Sequence, residues 1–329
     1  SEMCIRDRGN APTRYIAYQT YPYESASPVT ATTYPNTDIK PERTKAWEVG
    51  LQSHLWNDKL ELNVSLYKTS TYNQLFNPSI SASSGYSSIY INGGQVDNKG
   101  IEASLTLNQP LGPIQWNSTF TYTINRNKIK KLLKPTTLSN GEVVKQDMMD
   151  LGGLEIVNSR LFEGGSIGDL YVTALRTDSH GYIDVDYVNN TVAIDNKAGE
   201  RQDGWIYAGN SQAKYMMGWR NSFSWKGLTL SCLVNARIGG IVVSQTQAMM
   251  DAYGVSTATA EARDLGYVLI DGYKVPAVQK YYSTVGSGVG SMYVYSATNV
   301  RLAELSLGYN IPVQKWIPWI QGMNVAFTG

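Results

Sequence analysis

Few residues in this chain have the type and spacing that chemistry requires. Among 329 residues there are two histidines, His54 and His180, and two cysteines, Cys4 and Cys232. His54 stands in the polar set of an alternating stretch, where a histidine is far more often a solvated ring than a catalytic base. Asp184-Val-Asp186, with Asn189, Asn190 and Asp195, gathers oxygen ligands of the kind Ca²⁺ takes. It lacks the Gly and Glu spacing of an EF-hand, so a solvated loop is the simpler reading. Gly286-Ser-Gly-Val-Gly290 has neither the preceding strand nor the Lys of a phosphate-binding loop, and is expected to be a flexible loop. Lys128, Lys130, Lys131 and Lys134 form a small basic cluster, suited equally to lipopolysaccharide phosphates and to plain water. Tyr86-Ser-Ser-Ile-Tyr90 and the Tyr-rich run 267–282 offer rings to sugars, and tyrosine is as common at membrane rims. No catalytic, cofactor-binding, metal-binding or substrate-contacting residue is assigned. The chain is expected not to be an enzyme and to need no cofactor.

The elements that carry these residues are strands. In residues 40–75 two long arms meet at a tight turn at Asn57-Asp58. Trp47, Val49, Leu51 and Leu55 fall on one parity of the first arm, against Glu48, Gln52 and His54. Leu60, Leu62, Val64 and Leu66 alternate in the second with Glu61, Asn63, Ser65 and Tyr67. Period-two alternation places one face in an apolar medium and the other in a polar one. Both arms exceed the roughly 5–6 residues of an ordinary strand and suit the 9–11 or so needed to cross a bilayer.

The unit recurs. Ile101, Ala103, Leu105 and Leu107 alternate with Glu102, Ser104, Thr106 and Asn108, and residues 114–129 answer with Ile114, Trp116, Phe120, Tyr122 and Ile124. Tyr215, Met217, Trp219, Phe223 and Trp225 turn at Lys226-Gly227 into Leu228, Leu230, Cys232, Val234 and Ala236. Cys232 is thereby expected to be a small lipid-facing hydrophobe. Near the end Ala303, Leu305, Leu307 and Tyr309 oppose Leu302, Glu304, Ser306 and Gly308, and Met323, Val325 and Phe327 begin another strand. Weak alternation at 13–23 predicts one more. Residues 25–40, 130–165 and 201–210 are expected to be irregular, and 244–252 and 257–265 to form short helices.

Composition is compatible with this. The charge is balanced at 28 basic to 27 acidic residues, which gives no electrostatic reason to expect nucleic acid. Gly (30) and Tyr (23) abound and Trp (8) outnumbers Phe (5), a bias toward strands, turns and interfacial belts. No run of about 18 apolar residues occurs, so no transmembrane helix is expected. A membrane barrel leaves no such run, because half of every strand is polar. Cys4 lies in Ser1-Glu-Met-Cys-Ile-Arg-Asp-Arg8, which reads as a non-native leader, so no disulfide framework is expected.

Two regularities select the architecture. Tight turns at 57–58, 109–113, 226–227 and 312–319 alternate with excursions at 76–94, 130–165 and 244–290, as short periplasmic turns alternate with long extracellular loops. Trp56, Trp116, Trp225, Trp316 and Trp319 all lie beside tight turns, as an interfacial girdle requires. The expectation is an all-β chain forming part of a transmembrane antiparallel barrel in an outer membrane, spanning residues 11–329 and truncated at both ends.

Lys40-Pro-Glu-Arg-Thr-Lys-Ala-Trp-Glu-Val-Gly-Leu51 resembles the strand entry of TonB-dependent outer-membrane receptors. Leu66-Tyr67-Lys68, Tyr72-Asn-Gln-Leu75, Ile91-Asn-Gly-Gly94, Asn98-Lys-Gly-Ile-Glu102 and Ala297-Thr-Asn-Val-Arg-Leu-Ala-Glu-Leu-Ser-Leu-Gly-Tyr309 narrow the resemblance to the SusC/RagA type of Bacteroidetes. Gly165-Ser-Ile-Gly-Asp-Leu-Tyr171 resembles a loop entry of that family more weakly. Gly93 and Ala303 depart from the commoner Ala and Arg. The resemblance implies a 22-stranded barrel with a plug and a TonB box beyond this stretch, and a SusD-like surface lipoprotein as partner. It further implies uptake of oligosaccharide or peptide, driven through TonB. Two alternatives share part of the pattern. A passive porin or siderophore-type receptor has the same wall without the lipoprotein. A secreted β-rich adhesin requires Ile101, Ala103, Leu105 and Leu107 to pack on another sheet.

Overall fold

The computed structural model describes residues 2–5, 33–34, 39–76, 88–132, 136–137, 143–144, 148–186, 188, 191–315, 317, 319–320 and 322–329. The strand expected at 13–23 lies outside them. Nine strands form one antiparallel sheet, in the order Glu2–Ile5, Glu42–Leu55, Leu60–Phe76, Ile91–Leu111, Ile114–Lys131, Tyr215–Trp225, Leu228–Ile238, Asn299–Ile311 and Met323–Thr328. The first of these takes the open edge of Glu42–Leu55, whose unpaired backbone groups accept any extended segment. The sheet is an open wall rather than a closed ring.

Register turns the alternation of single strands into rungs that cross the wall. Leu51, Val64, Ala103, Tyr122, Met217, Ala236 and Val300 form one rung over seven strands. Leu62, Leu105, Phe120, Trp219, Val234 and Leu302 form the next. Many large side chains of this face are uncovered: Val49 is 62% exposed, Leu51 60% and Leu302 59%. Ile101 and Leu105 likewise have no second sheet over them among the described residues, unlike the packing that the adhesin reading requires. The other face carries Gln52, Asn63, Ser104, Thr121, Gly218, Asn235 and Arg301 in one rung. Arg220 pairs with Glu304 there at 3.1 Å. Hydroxyls of Thr106 and Thr119, and of Ser231 and Ser306, bridge neighbouring strands on that face.

One parity differs from expectation. A bulge between Leu233 and Val234 leaves Ala303 unpaired in the register. Beyond it Leu302 and Val300 join the apolar face and Arg301 turns to the polar one, because an extra residue reverses the side-chain phase. The small Ala303 sits where the strand bends.

The tight ends are short for local reasons. Lys226 (φ 47°) and Gly227 (φ 88°) make a two-residue turn with both residues left-handed, the geometry that matches strand twist. Trp56, Asn57 and Asp58 adopt the same region at the first hairpin.

The second and third excursions are folded, not irregular, over their described residues. Residues expected to be irregular or loop supply Met148–Leu154, Val157–Phe162 and Trp205–Asn210, which with Asp169–Thr173 make a four-stranded sheet. Its Met149 and Leu161 pack on Val96, Ile129 and Leu132 at the head of the wall. The third excursion is helical: α1 (Gln245–Ala252), α2 (Thr257–Leu265) and α3 (Val278–Gly288). Ser244 and Ser256 cap the first two as serines do, by accepting from the third residue on. The predicted flexible loop 286–290 is instead the end of α3 and a following 3₁₀ turn. A Cβ at Gly286 would strike the Ala248 carbonyl and the Ala252 backbone nitrogen, so glycine lets α3 close on α1. Ile156, Ala248, Ile270, Tyr281, Val285, Val289 and Tyr293 form the core of this unit. The short pair Ile241–Val243 and Val294–Ser296 roots it on the wall.

Candidate functional site

The strand Ile114–Lys131 outruns its neighbour. Its pairing with Tyr215–Trp225 stops at Thr123 and Met216, which leaves the edge of Ile124–Lys131 free of that strand. Gly164 and Gly165 take up the freed edge through reciprocal bonds with Ile129, at 2.8 and 2.9 Å. Between this junction and Lys214 the wall opens into a notch of about 1270 Å³, lined by Asn125 to Lys128 and by one face of the four-stranded sheet. Arg126 and Lys128 share the phase of Ile124 and Ile101, and so reach the notch from the apolar side of the wall.

The sheet face that looks into the notch is aromatic and charged. Phe162 and Tyr171 have ring centroids 5.3 Å apart, and Tyr171 meets Tyr207 edge-on at 5.5 Å. The buried Arg160 bonds Asp203 at 2.7 Å and lies 4.9 Å over the Trp205 ring. Buried Asp169 accepts from the Ser166 backbone at 2.7 Å, from Asn210 Nδ2 at 2.9 Å and from the Tyr207 hydroxyl at 3.3 Å. Burial foremost, and next the Asp169 carboxylate, raises the Tyr171 and Tyr207 phenols above their ordinary value, so both stay neutral donors. The arrangement offers ring faces, hydroxyls and cationic groups to a polar ligand, and no nucleophile paired with a base.

The residues singled out from sequence do not converge. His54 sits beside a tight turn with Nδ1 3.2 Å from Asp58, while His180 lies in an excursion beside Asp178. Asp184 is bonded to Arg176 at 2.6 Å, Asp195 accepts from its own loop, and Asn189 and Asn190 lie outside the described residues. No group of three or more His, Cys, Asp or Glu side chains gathers for a metal among the described residues. Lys128 reaches the notch, and Lys134 lies outside the described residues. Of the Tyr run, Tyr281 is core and Tyr267 carries Lys274 over its ring at 4.3 Å. Cys232 lies on the apolar face, opposite Asn221 and Leu305. The notch itself was missed, because Arg160, Tyr171 and Tyr207 come from segments without a shared motif. The only sequence signal was Gly165–Tyr171, which supplies Asp169 and the edge at Ile129.

A wall with one uncovered apolar side, one polar side, tight turns at one end and folded excursions at the other is part of an outer-membrane β-barrel. Residues 8–231 match the family described as TonB dependent receptor-like, beta-barrel, and the chain belongs to that family. TonB-dependent receptor P3 of Formosa agariphila is 26% identical over 301 residues, covering 86% of this chain and 28% of the relative. The solved RagAB peptide transporter superposes with a TM-score of 0.66 at 17% identity, covering 90% of this chain and 32% of that one. The RagAB peptide importer in its open-open state gives 0.62 at 19% identity, covering 90% and 31%. The fold is thus of the SusC/RagA kind. The chain spans less than a third of the length of each of these relatives.

Proposed function

We propose that this chain is barrel wall of an importer that carries oligomeric nutrient, oligosaccharide or peptide, across the outer membrane by TonB coupling. The observation that carries the reading is the division of the wall into apolar rungs on one side and a continuous polar surface of Glu, Asn, Ser, Thr and Arg on the other. A polar surface spanning seven strands is what a hydrated conduit requires. Family membership supplies the expectation of energy coupling, with the plug and TonB box lying beyond this stretch and residues 11–329 belonging to the barrel domain. A SusD-like lipoprotein is the partner expected at the excursion end of the wall. The likeness to the RagAB peptide transporter favours a peptide, and the ring-lined notch suits a sugar equally.

The test is growth and labelled-substrate uptake by cells with and without the full receptor gene, on defined oligopeptides and on defined oligosaccharides. Import lost on deletion and abolished by collapse of the proton gradient supports the reading. Uptake that persists after collapse of the gradient overturns it in favour of a passive pore.

A further inference from the structure

The apolar face of the wall ends in a ladder of cations. Its last apolar rung toward the excursions is Val49, Leu66, Ile101 and Ile124. The next rung sets Trp47, Lys68, Lys99 and Arg126 side by side on four adjacent strands. The rung after that holds Lys45, Ser70, Asp97 and Lys128. Two rungs therefore carry five cations and one carboxylate on the same face. Directly opposed residues stand about 4.5–5.5 Å apart at Cβ, where like charges destabilise a sheet. Lys68, Lys99 and Lys128 have no ion-pair partner among the described residues. Arg126 is fixed in place, 5.4 Å over the Tyr215 ring and bonded to the Lys214 carbonyl at 2.9 Å. Lys68 and Lys99, on adjacent strands without ion pairs among the described residues and flanked by the fixed Arg126, make a surface suited to anions.

Its height on the wall identifies which anions. Trp47 to Leu55 covers eight steps of strand, about 27 Å at the usual rise, or roughly 20 Å across a membrane at barrel tilt. Trp56 marks the far end and Trp47 the near one, so the ladder lies where hydrocarbon gives way to headgroups. Lysine stems can run over the apolar rung there while the ammonium reaches the phosphate layer. The excursion end is the outward end, so the layer is that of the outer leaflet. The ladder also opens into the notch through Arg126 and Lys128, where Phe162, Tyr171 and Tyr207 offer ring faces to sugars.

We propose that the Lys68–Lys99–Arg126 ladder, with Lys128, binds the phosphate groups of an anionic glycolipid of the outer leaflet. The experiment takes the full receptor, purified from outer membrane in neutral detergent and stripped of lipid. Binding is followed by native mass spectrometry with lipid A, with dephosphorylated lipid A and with inorganic phosphate. The wild type is expected to retain lipid A and to bind the dephosphorylated form at least about tenfold more weakly. Joint replacement of Lys68→Gln, Lys99→Gln and Lys128→Gln is expected to weaken lipid A binding by roughly fivefold per lysine, and the three Arg replacements to preserve it. Heat-dependent gel migration checks assembly, and the single Gln variants carry the same test if the triple one does not assemble. Unchanged binding of lipid A by the Gln variants, or equal binding of the dephosphorylated form, overturns the proposal. Inorganic phosphate bound as tightly as lipid A would make this a free-anion site and also overturn it. Substrate uptake is scored separately, so a failure here is distinct from a failure of the import reading.

Discussion

At Gly286 a single hydrogen atom decides whether two helices can touch. Any side chain there meets backbone of α1, which cannot swing aside as a flexible side chain could. Gly286→Ala is expected to cost the helical unit about 1–3 kcal/mol, in the range of overpacked cores. Hydrogen exchange should show α1 and α3 opening faster while the wall strands keep their protection; equal exchange in both would refute the packing role. Ser118 and Asn221 are the complementary case, polar residues on the apolar face. Both are buried, Ser118 under the Trp219 indole that donates to it at 3.0 Å and Asn221 under that of Trp116 at 3.1 Å. An indole N–H facing lipid needs an acceptor, since no water is available to it. Single-residue parity could not show this, because the donors lie on the adjacent strand.

The helical excursion is an element with its own acid–base behaviour. Tyr281 is pushed up to about 12, chiefly by burial and then by Tyr282 and Asp251. Tyr293 is raised further, again by burial first, and its hydroxyl donates to buried Asp251 at 3.0 Å. A phenol of higher pKa in the folded state holds its proton where the unfolded chain has lost it. Its contribution is complete below about pH 10, the unfolded value, and is lost as pH rises toward about 12. The helical unit should therefore loosen in that window by something on the order of 2 kcal/mol from Tyr281 alone. Tyrosinate absorbance followed beside helical circular dichroism checks it, and Tyr281→Phe should remove much of the drop. The two Ser-capped helices were legible in sequence. The third was hidden by its glycines, which signal a loop to propensity and close packing to the fold.

The whole molecule is organised by the medium on each side of the wall. Leu51 and Gln52 are neighbours in the chain and face opposite media. Leu51→Arg is expected to destabilise assembly by about 2–4 kcal/mol, as a charge near mid-bilayer does, and Gln52→Arg to cost little. Denaturant titration of the receptor refolded into lipid vesicles distinguishes them; equal losses would mean that the apolar rungs do not face lipid. The same division explains why the open sheet shows large exposed side chains such as Trp47 and Val49 without any sheet to cover them.

The sequence by itself determined the wall: strand period, the tight turns, the side of most wall residues and the family follow from local patterns that repeat every two residues. Only the tertiary structure decided what crosses between segments. It set the rungs, because register joins residues more than a hundred positions apart, as Trp116 and Asn221. It placed the bulge at Ala303, which reverses a phase that alternation assumes constant. It built the four-stranded sheet from stretches too short and polar to announce themselves, since their burial comes from Val96 and Ile129 on other strands. The cation ladder belongs to the same class. Lys68, Lys99 and Arg126 are unremarkable where they stand in the chain, and become one charged surface only when three strands are laid in register.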